Sequence, residues 1–160
     1  MRRLIALVAV TVVGVLGTAG CGHDQTRTTV GVRDIDGVGR ALVDSSGRTL
    51  YFADQESGGT IYCVDSCLSF WKPLTIAVGT HPTASADLSA DLATLSRPDG
   101  SAQVTYHGHP LYTFQNDRTG HAGGNGVTDQ FGSTTFIWHA AMATGAAVTT
   151  EPDDNPGYGY

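Results

Sequence analysis

The sequence predicts a mainly β fold: one compact domain of two related β units, with one short helical turn around a cysteine pair. Three observations carry this. Short blocks rich in β-branched and aromatic residues are bounded by Asp-Gly, Ser-Gly, Pro-Asp-Gly and His-Gly-His clusters. No helical pattern of about 10–15 residues alternates with these blocks, which argues against a βαβ design. And one ten-residue phrase is written twice: "GRTLYFADQE" from Gly47 to Glu56, and "GHPLYTFQND" from Gly108 to Asp117.

The elements follow in order. Val30 to Asp44 alternates weakly in hydropathy and is punctuated by Asp36-Gly37, which predicts a hairpin of short strands. "RTLYFA" (Arg48–Ala53) is the next strand. Cys63, Cys67, Phe70 and Trp71 fall at i, i+4, i+7 and i+8, one face of a short helix that Pro73 stops. "PLTIAV" returns to strand, and residues 79–91 form a polar surface loop with room for one helical turn. "LATLSRPDGSAQVTYHGHPLYTF" reads as strand, turn, strand, turn, strand. Residues 118–133 form a glycine-rich, flexible surface loop, and "TTFIWHAAM" is a final strand.

The doubled phrase sets the organisation. Each copy runs into a Leu-Tyr strand and is followed by a tryptophan, Trp71 after Tyr51 and Trp138 after Tyr112. The units span about 38–77 and 92–140. The second holds the glycine-rich insertion and lacks cysteines. Neither is long enough to bury a stable core alone, so they are expected to pack around a pseudo-twofold axis.

The N-terminus is read as a lipoprotein signal. "MRR" is a positive n-region, Leu4–Gly17 is uncharged and too short for a comfortable membrane span, and "TAGC" ends at Cys21. Cleavage after residue 20 leaves Cys21 as a diacylated N-terminus, and two or three acyl chains give stable anchoring at about 0.8 kcal/mol per buried CH2. Residues 21–29 are then a tether, 30–148 the β-rich domain, and 149–160 have the composition of a disordered tail. The processed chain carries seven Lys+Arg against fifteen Asp+Glu, with no basic cluster. That balance disfavours nucleic acid as a partner. It also leaves the lipid, rather than surface charge, to hold the domain at an anionic membrane. Once Cys21 is acylated, Cys63 and Cys67 remain, and an exported pair normally closes as a disulfide.

Several motifs in order carry a resemblance. They are Leu50-Tyr51 with Glu56, Cys63-x3-Cys67 with Trp71 and Pro73-Leu74, Arg97-Pro98-Asp99-Gly100, Gln103-Val104-Thr105-Tyr106, and Gly108-His109-Pro110-Leu111-Tyr112 with Asp117. A Gly-x-Gly loop and Trp138 complete the set. From about Val38 to Ala140 the chain resembles a bacterial family of secreted repeat lipoproteins described by a Tyr-x4-Asp motif. It departs at Glu56, where the pattern has Asp, at Trp71-Lys72-Pro73 for Trp-Pro-Pro, and at His139-Ala140 for an apolar pair. The resemblance implies an exported, often lipid-anchored domain and no particular reaction.

Three constellations bear on chemistry. Glu56 and Asp117 are a candidate acid/base pair of the kind glycoside hydrolysis uses. The alternative, preferred here, makes them strand-end acceptors of backbone N–H groups, each paired with its own tyrosine, Tyr51 or Tyr112. Cys63 and Cys67 are within disulfide reach on one helical turn and also match copper- or redox-site spacing. His107, His109 and His139 are a candidate copper or zinc set, although "HGHP" also reads as a solvated turn. "GHAGGNG" (120–126) lacks the order of a phosphate loop. The expectation is a non-enzymatic, membrane-anchored, extracytoplasmic binding or envelope module without a cofactor. The alternative is a metal (copper) handling or electron-transfer accessory lipoprotein that uses the Cys63/Cys67 pair and the histidines, and hydrolysis by Glu56 and Asp117 is a weaker one. The sequence does not name the ligand or protein partner.

Overall fold

Side chains in a strand alternate between faces, so a Leu-Tyr step sends its two residues into different cores. The doubled phrase is used in this way. Leu50 and Leu111 are buried in one apolar cluster with Val30, Leu42 and Val104. Tyr51 and Tyr112 are buried in another with Trp71, Trp138, Phe136 and both cysteines. The computed structural model describes residues 28–84, 86–89 and 91–143. The expected signal peptide (1–20), Cys21 and the tail (149–160) lie outside the described residues, as does the tether up to residue 27.

The described chain is mainly β, in antiparallel pairings. Strands β1 (Val30–Ile35) and β2 (Gly39–Asp44) form the expected hairpin across Asp36-Gly37, where Gly37 takes φ +75°. Next to β1, the Thr29 N–H donates to the Thr83 carbonyl at 2.8 Å. β3 (Leu50–Ala53) carries the first phrase. β4 (Trp71–Pro73) and β5 (Thr75–Ile76) follow, then one helical turn, α1 (Ala86–Ser89). β6 (Leu92–Ser96), β7 (Ala102–Tyr106), β8 (His109–Pro110) and β9 (Tyr112–Phe114) are the expected strand-turn series. β10 (Thr128–Phe131) and β11 (Thr134–Ala140) close the order.

One sheet has the order β10-β11-β3-β9-β4, and a smaller one joins β5, β7 and β6, with β8 pairing on β7. The register of the larger sheet is reciprocal between the repeats. Tyr51 lies opposite Tyr112 in the central β3–β9 pair. Trp138 of the second unit lies on the outer side of β3, opposite Ala53. Trp71 of the first unit lies on the outer side of β9, opposite Phe114. Each unit's tryptophan strand thus pairs with the other unit's tyrosine strand. The two indoles stack with ring centroids 3.8 Å apart and planes 9° from parallel. Hydrogen bonds from Leu42 N–H to the Ala141 carbonyl and from Ala141 N–H to the Leu50 carbonyl tie the β1–β2 hairpin to this sheet.

Two expectations are corrected. The cysteine segment is a 3-10 turn over Asp65–Ser69, not a helix running from Cys63 to Trp71. Asp65 sits at φ +50°, Val64 is extended, Phe70 points out at 44% exposure, and Trp71 already belongs to β4. The extended Val64 and left-handed Asp65 interrupt a helix between the cysteines, and the Cys63 carbonyl, which would accept an early intrahelical bond, accepts from Arg97 instead. Cys63 and Cys67 nonetheless form the expected disulfide, with Cα atoms 5.3 Å apart.

The glycine-rich loop is likewise not a free surface segment. Gly126 N–H donates to the Trp138 carbonyl and Trp138 N–H to the Val127 carbonyl, so the loop's end runs along β11 before β10 pairs with it. Gly124 is buried, and a Cβ placed there would meet the Trp71 ring at 2.8 Å and the Tyr51 ring at 3.0 Å. Here the absence of a side chain is what lets the backbone lie on the aromatic core. Gly124→Ala should therefore destabilise the domain by about 1–3 kcal/mol, the usual cost of overpacking. Gly58→Ala, with open space around its Cβ position, should stay within about 0.5 kcal/mol of wild type. Urea unfolding of the two variants checks the difference.

Candidate functional site

The carboxylates of the doubled phrase come first. Glu56 ends a 3-10 turn (Asp54–Glu56) directly after β3 and has no exposure to solvent. Its Oε1 accepts the backbone N–H groups of Tyr62 and Cys63 at 2.6 and 2.7 Å. Its Oε2 accepts the Tyr112 hydroxyl at 2.7 Å. Asp117 repeats the plan. Its Oδ1 accepts the Gly123 N–H at 2.8 Å, six residues on, just as Tyr62 lies six residues beyond Glu56. Its Oδ2 accepts the Tyr51 hydroxyl.

The acids are strand-end acceptors of backbone N–H groups, but the tyrosine pairing is crossed. Tyr51 binds Asp117, and Tyr112 binds Glu56, in place of the expected pairing within each phrase. The reason is the sheet. β3 and β9 are antiparallel neighbours with the two tyrosines directly opposite, so each phenol reaches across the pair to the acid of the other repeat.

The two copies differ in surroundings. Arg97, buried except for 4% of its surface, donates to the Tyr112 hydroxyl at 3.3 Å and to the Cys63 carbonyl at 2.8 Å. It also binds Gln103, whose amide donates to the Leu111 carbonyl. The Glu56 carboxylate thus has a cation on the far side of Tyr112. The sequence places Arg97 only in a Pro-Asp-Gly turn, and no local signal marks it as buried. Asp117 instead lines an open cleft of about 360 Å³ with Asn116, Arg118, His121 and Gly123. On that side the Gly124 N–H lies 3.3 Å from the Tyr51 hydroxyl oxygen. Burial, and then Asp117, push the Tyr51 hydroxyl well above the usual tyrosine range. Burial, and then the Glu56 charge, do the same to Tyr112, with Arg97 opposing.

The histidines are the expected metal set. His107, His109 and His139 do line one pocket, of about 540 Å³, with Phe52, Leu111 and Met142 among its other walls. They do not converge on a metal. His139 Nε2 is 3.1 Å from Asp54, His107 Nδ1 is 3.5 Å from Asp91, and the Phe52 ring packs on His109 at 4.6 Å and His139 at 5.6 Å. Among the described residues, no group of three or more His, Cys, Asp or Glu is placed to hold a metal ion. The cysteines, the other donors considered, are joined to each other. His107 holds φ +50° beside Gly108 at φ +82°, a left-handed two-residue turn between β7 and β8, so "HGH" is the turn its composition predicts.

The pocket that results has walls from the β1–β2 turn, from β3, from the β7–β8 turn and from the end of β11. Among the described residues, no Lys, Arg, Asp or Glu lines it. His109 is held below the usual imidazole range, by burial first and the neighbouring His107 second, and its Nδ1 is buried without a hydrogen-bond partner.

A family model described as a secreted repeat of unknown function, Lipoprotein_15, matches residues 93–142. The match spans the second unit, from β6 through Trp138, and agrees with the resemblance carried by the motifs and with an extracytoplasmic setting. No curated protein and no solved structure matches the chain. Among the described residues, no helix is long and apolar enough to cross a membrane.

The crossed pairs can be tested in two ways. Tyr112→Phe removes a hydrogen bond to a carboxylate without solvent access and should cost about 1.5–3 kcal/mol. Tyr51→Phe should cost less, because water in the open cleft can replace the phenol on Asp117; equilibrium unfolding of both variants tests the order. Alkaline pH should also destabilise the domain. Both phenols have raised pKa values when folded, so the unfolded chain loses these protons first. Stability is complete below about pH 10 and then falls by about 1.4 kcal/mol per pH unit for each tyrosine. Ultraviolet titration of the folded protein should find these two of the six tyrosines un-ionised until the domain unfolds.

Proposed function

We propose that the protein is an extracytoplasmic domain anchored by lipid at Cys21, and that it binds an uncharged small molecule in the pocket beside Phe52 rather than catalysing a reaction. The pocket itself supports this most directly. It is large enough for a small organic ligand, is lined by no Lys, Arg, Asp or Glu among the described residues, and is walled by Phe52 and by His109, whose burial favours the neutral imidazole. The deployment of the carboxylates supports the non-enzymatic part. A general acid or base must reach its substrate, whereas Glu56 has no solvent exposure and both of its oxygens accept protein hydrogen bonds. The anchoring part is supported by the "TAGC" sequence and the match to a secreted family.

The two parts are tested separately. Cys21→Ala should move the protein from the membrane fraction to the soluble extracytoplasmic fraction and abolish fatty-acid labelling; unchanged fractionation would remove the anchor. Binding is tested with the neutral fluorescent probe N-phenyl-1-naphthylamine on the folded chain. Saturable enhancement at one site is expected, weakened about tenfold by Phe52→Ala through loss of an aromatic contact. No saturable signal, or one unchanged in Phe52→Ala, would remove the pocket from the reading.

A further inference from the structure

All the redox-active aromatic rings of the buried cluster form a single line. Tyr112 meets Trp138 edge-on at 5.2 Å, Trp138 stacks on Trp71 at 3.8 Å, and Trp71 meets Tyr51 edge-on at 5.4 Å. None of the four is exposed. Each end of the line is a phenol hydrogen-bonded to a carboxylate, the arrangement in which loss of an electron from tyrosine can be coupled to loss of its proton. The chain has two tryptophans in all, and they are the two in the middle.

The line has a direction. Trp71 Nε1 donates to Asp129 at 2.8 Å, whereas Trp138 Nε1 is buried without a partner. Negative charge at the indole N–H favours a positive vacancy on Trp71, the ring in contact with Tyr51. At the far end, the Arg97 guanidinium lies 3.3 Å from the Tyr112 hydroxyl and opposes any positive charge there. Glu56 has no path to water. At the near end, Asp117 opens on its cleft, so a proton it takes from Tyr51 is in contact with solvent.

We propose that Trp138, Trp71 and Tyr51 form a one-electron relay that ends in a tyrosyl radical at Tyr51, with Asp117 as the proton acceptor. A one-electron oxidant of the radical class removes an electron from the indole pair, leaving a tryptophan cation radical. Tyr51 then transfers an electron to Trp71 while its O–H bond breaks and a new O–H bond forms on Asp117. The indole is restored, and the products are Tyr51 phenoxyl radical and neutral Asp117. A small reductant entering the Asp117 cleft, such as a thiolate, returns the electron and is itself oxidised to a thiyl radical. The Asp117 proton then goes back to Tyr51. The relay is independent of the pocket beside Phe52.

Laser photoionisation of the tryptophans in the full chain tests this, with a cobalt(III) ammine complex capturing the ejected electron. The tryptophan radical should convert to a tyrosyl radical at a rate independent of protein concentration and slower in D2O. Tyr51→Phe should abolish the conversion, and Tyr112→Phe should leave it. Asp117→Asn, which keeps the phenol, should slow it by about tenfold or more, equivalent to about 1.4 kcal/mol of barrier. Conversion that persists in Tyr51→Phe, or that depends on Tyr62 or Tyr106 instead, would overturn the proposal. If Tyr51→Phe does not fold, an unchanged rate in Asp117→Asn or the absence of a solvent isotope effect would overturn it equally.

Discussion

Glu56 is a carboxylate sealed from water, and an ionised group in that position is very costly unless its neighbours replace the lost hydration. Two backbone N–H groups and the Tyr112 phenol do so, and Arg97 supplies the opposite charge behind the phenol. Much of the first repeat depends on that set. It fixes where the chain turns after β3, holds the start of the cysteine segment, and draws the β6–β7 turn onto it through Arg97. Because the phenol comes from β9, the same set also locks the second repeat against the first.

The two repeats use one plan in two environments. The backbone position seven residues past the acid is Cys63 in one copy and Gly124 in the other. In the first, a disulfide braces the segment. In the second, the position is bare, and the rings of Tyr51 and Trp71 occupy the space a side chain would need. Glu56 is closed in with a guanidinium, whereas Asp117 borders a cleft open to solvent. A duplication that is symmetric in backbone register is therefore asymmetric in electrostatics, and that asymmetry gives the aromatic core a distinguishable inner and outer end.

Local periodicity and turn chemistry make much of this legible. The β class, the first hairpin, the series from Leu92 to Phe114 and the final strand follow from alternation and from Gly, Pro and Asp placement. The disulfide follows from cysteine number and spacing, and the Tyr-x4-acid phrase points to residues that do meet in space. The failures are all non-local. Which acid a tyrosine binds depends on which strands are neighbours. The burial of Arg97 depends on Glu56 and Tyr112, 41 residues before it and 15 after it in the chain. β10 is hidden in a glycine-rich stretch because its ladder is completed by β11, and the helical spacing from Cys63 to Trp71 is coincidental, since the backbone at Val64 and Asp65 is not helical. The histidines share a pocket as the sequence groups them, but what each ring faces is set by Asp54, Asp91 and Phe52.

The exchange of phenols between repeats also limits how such a domain can be built up. A single unit would hold a tyrosine whose carboxylate lies in another unit, and a carboxylate waiting for another unit's tyrosine. Its tryptophan strand would lack the tyrosine strand it borders, and its indole would lack the partner ring. All of these deficits are met by one further copy and by no rearrangement within the first. The folding unit of this architecture is therefore the pair. Chains that grow by tandem duplication of it gain stable structure in steps of two, and a lone repeat completes itself only by trading the same contacts with another molecule.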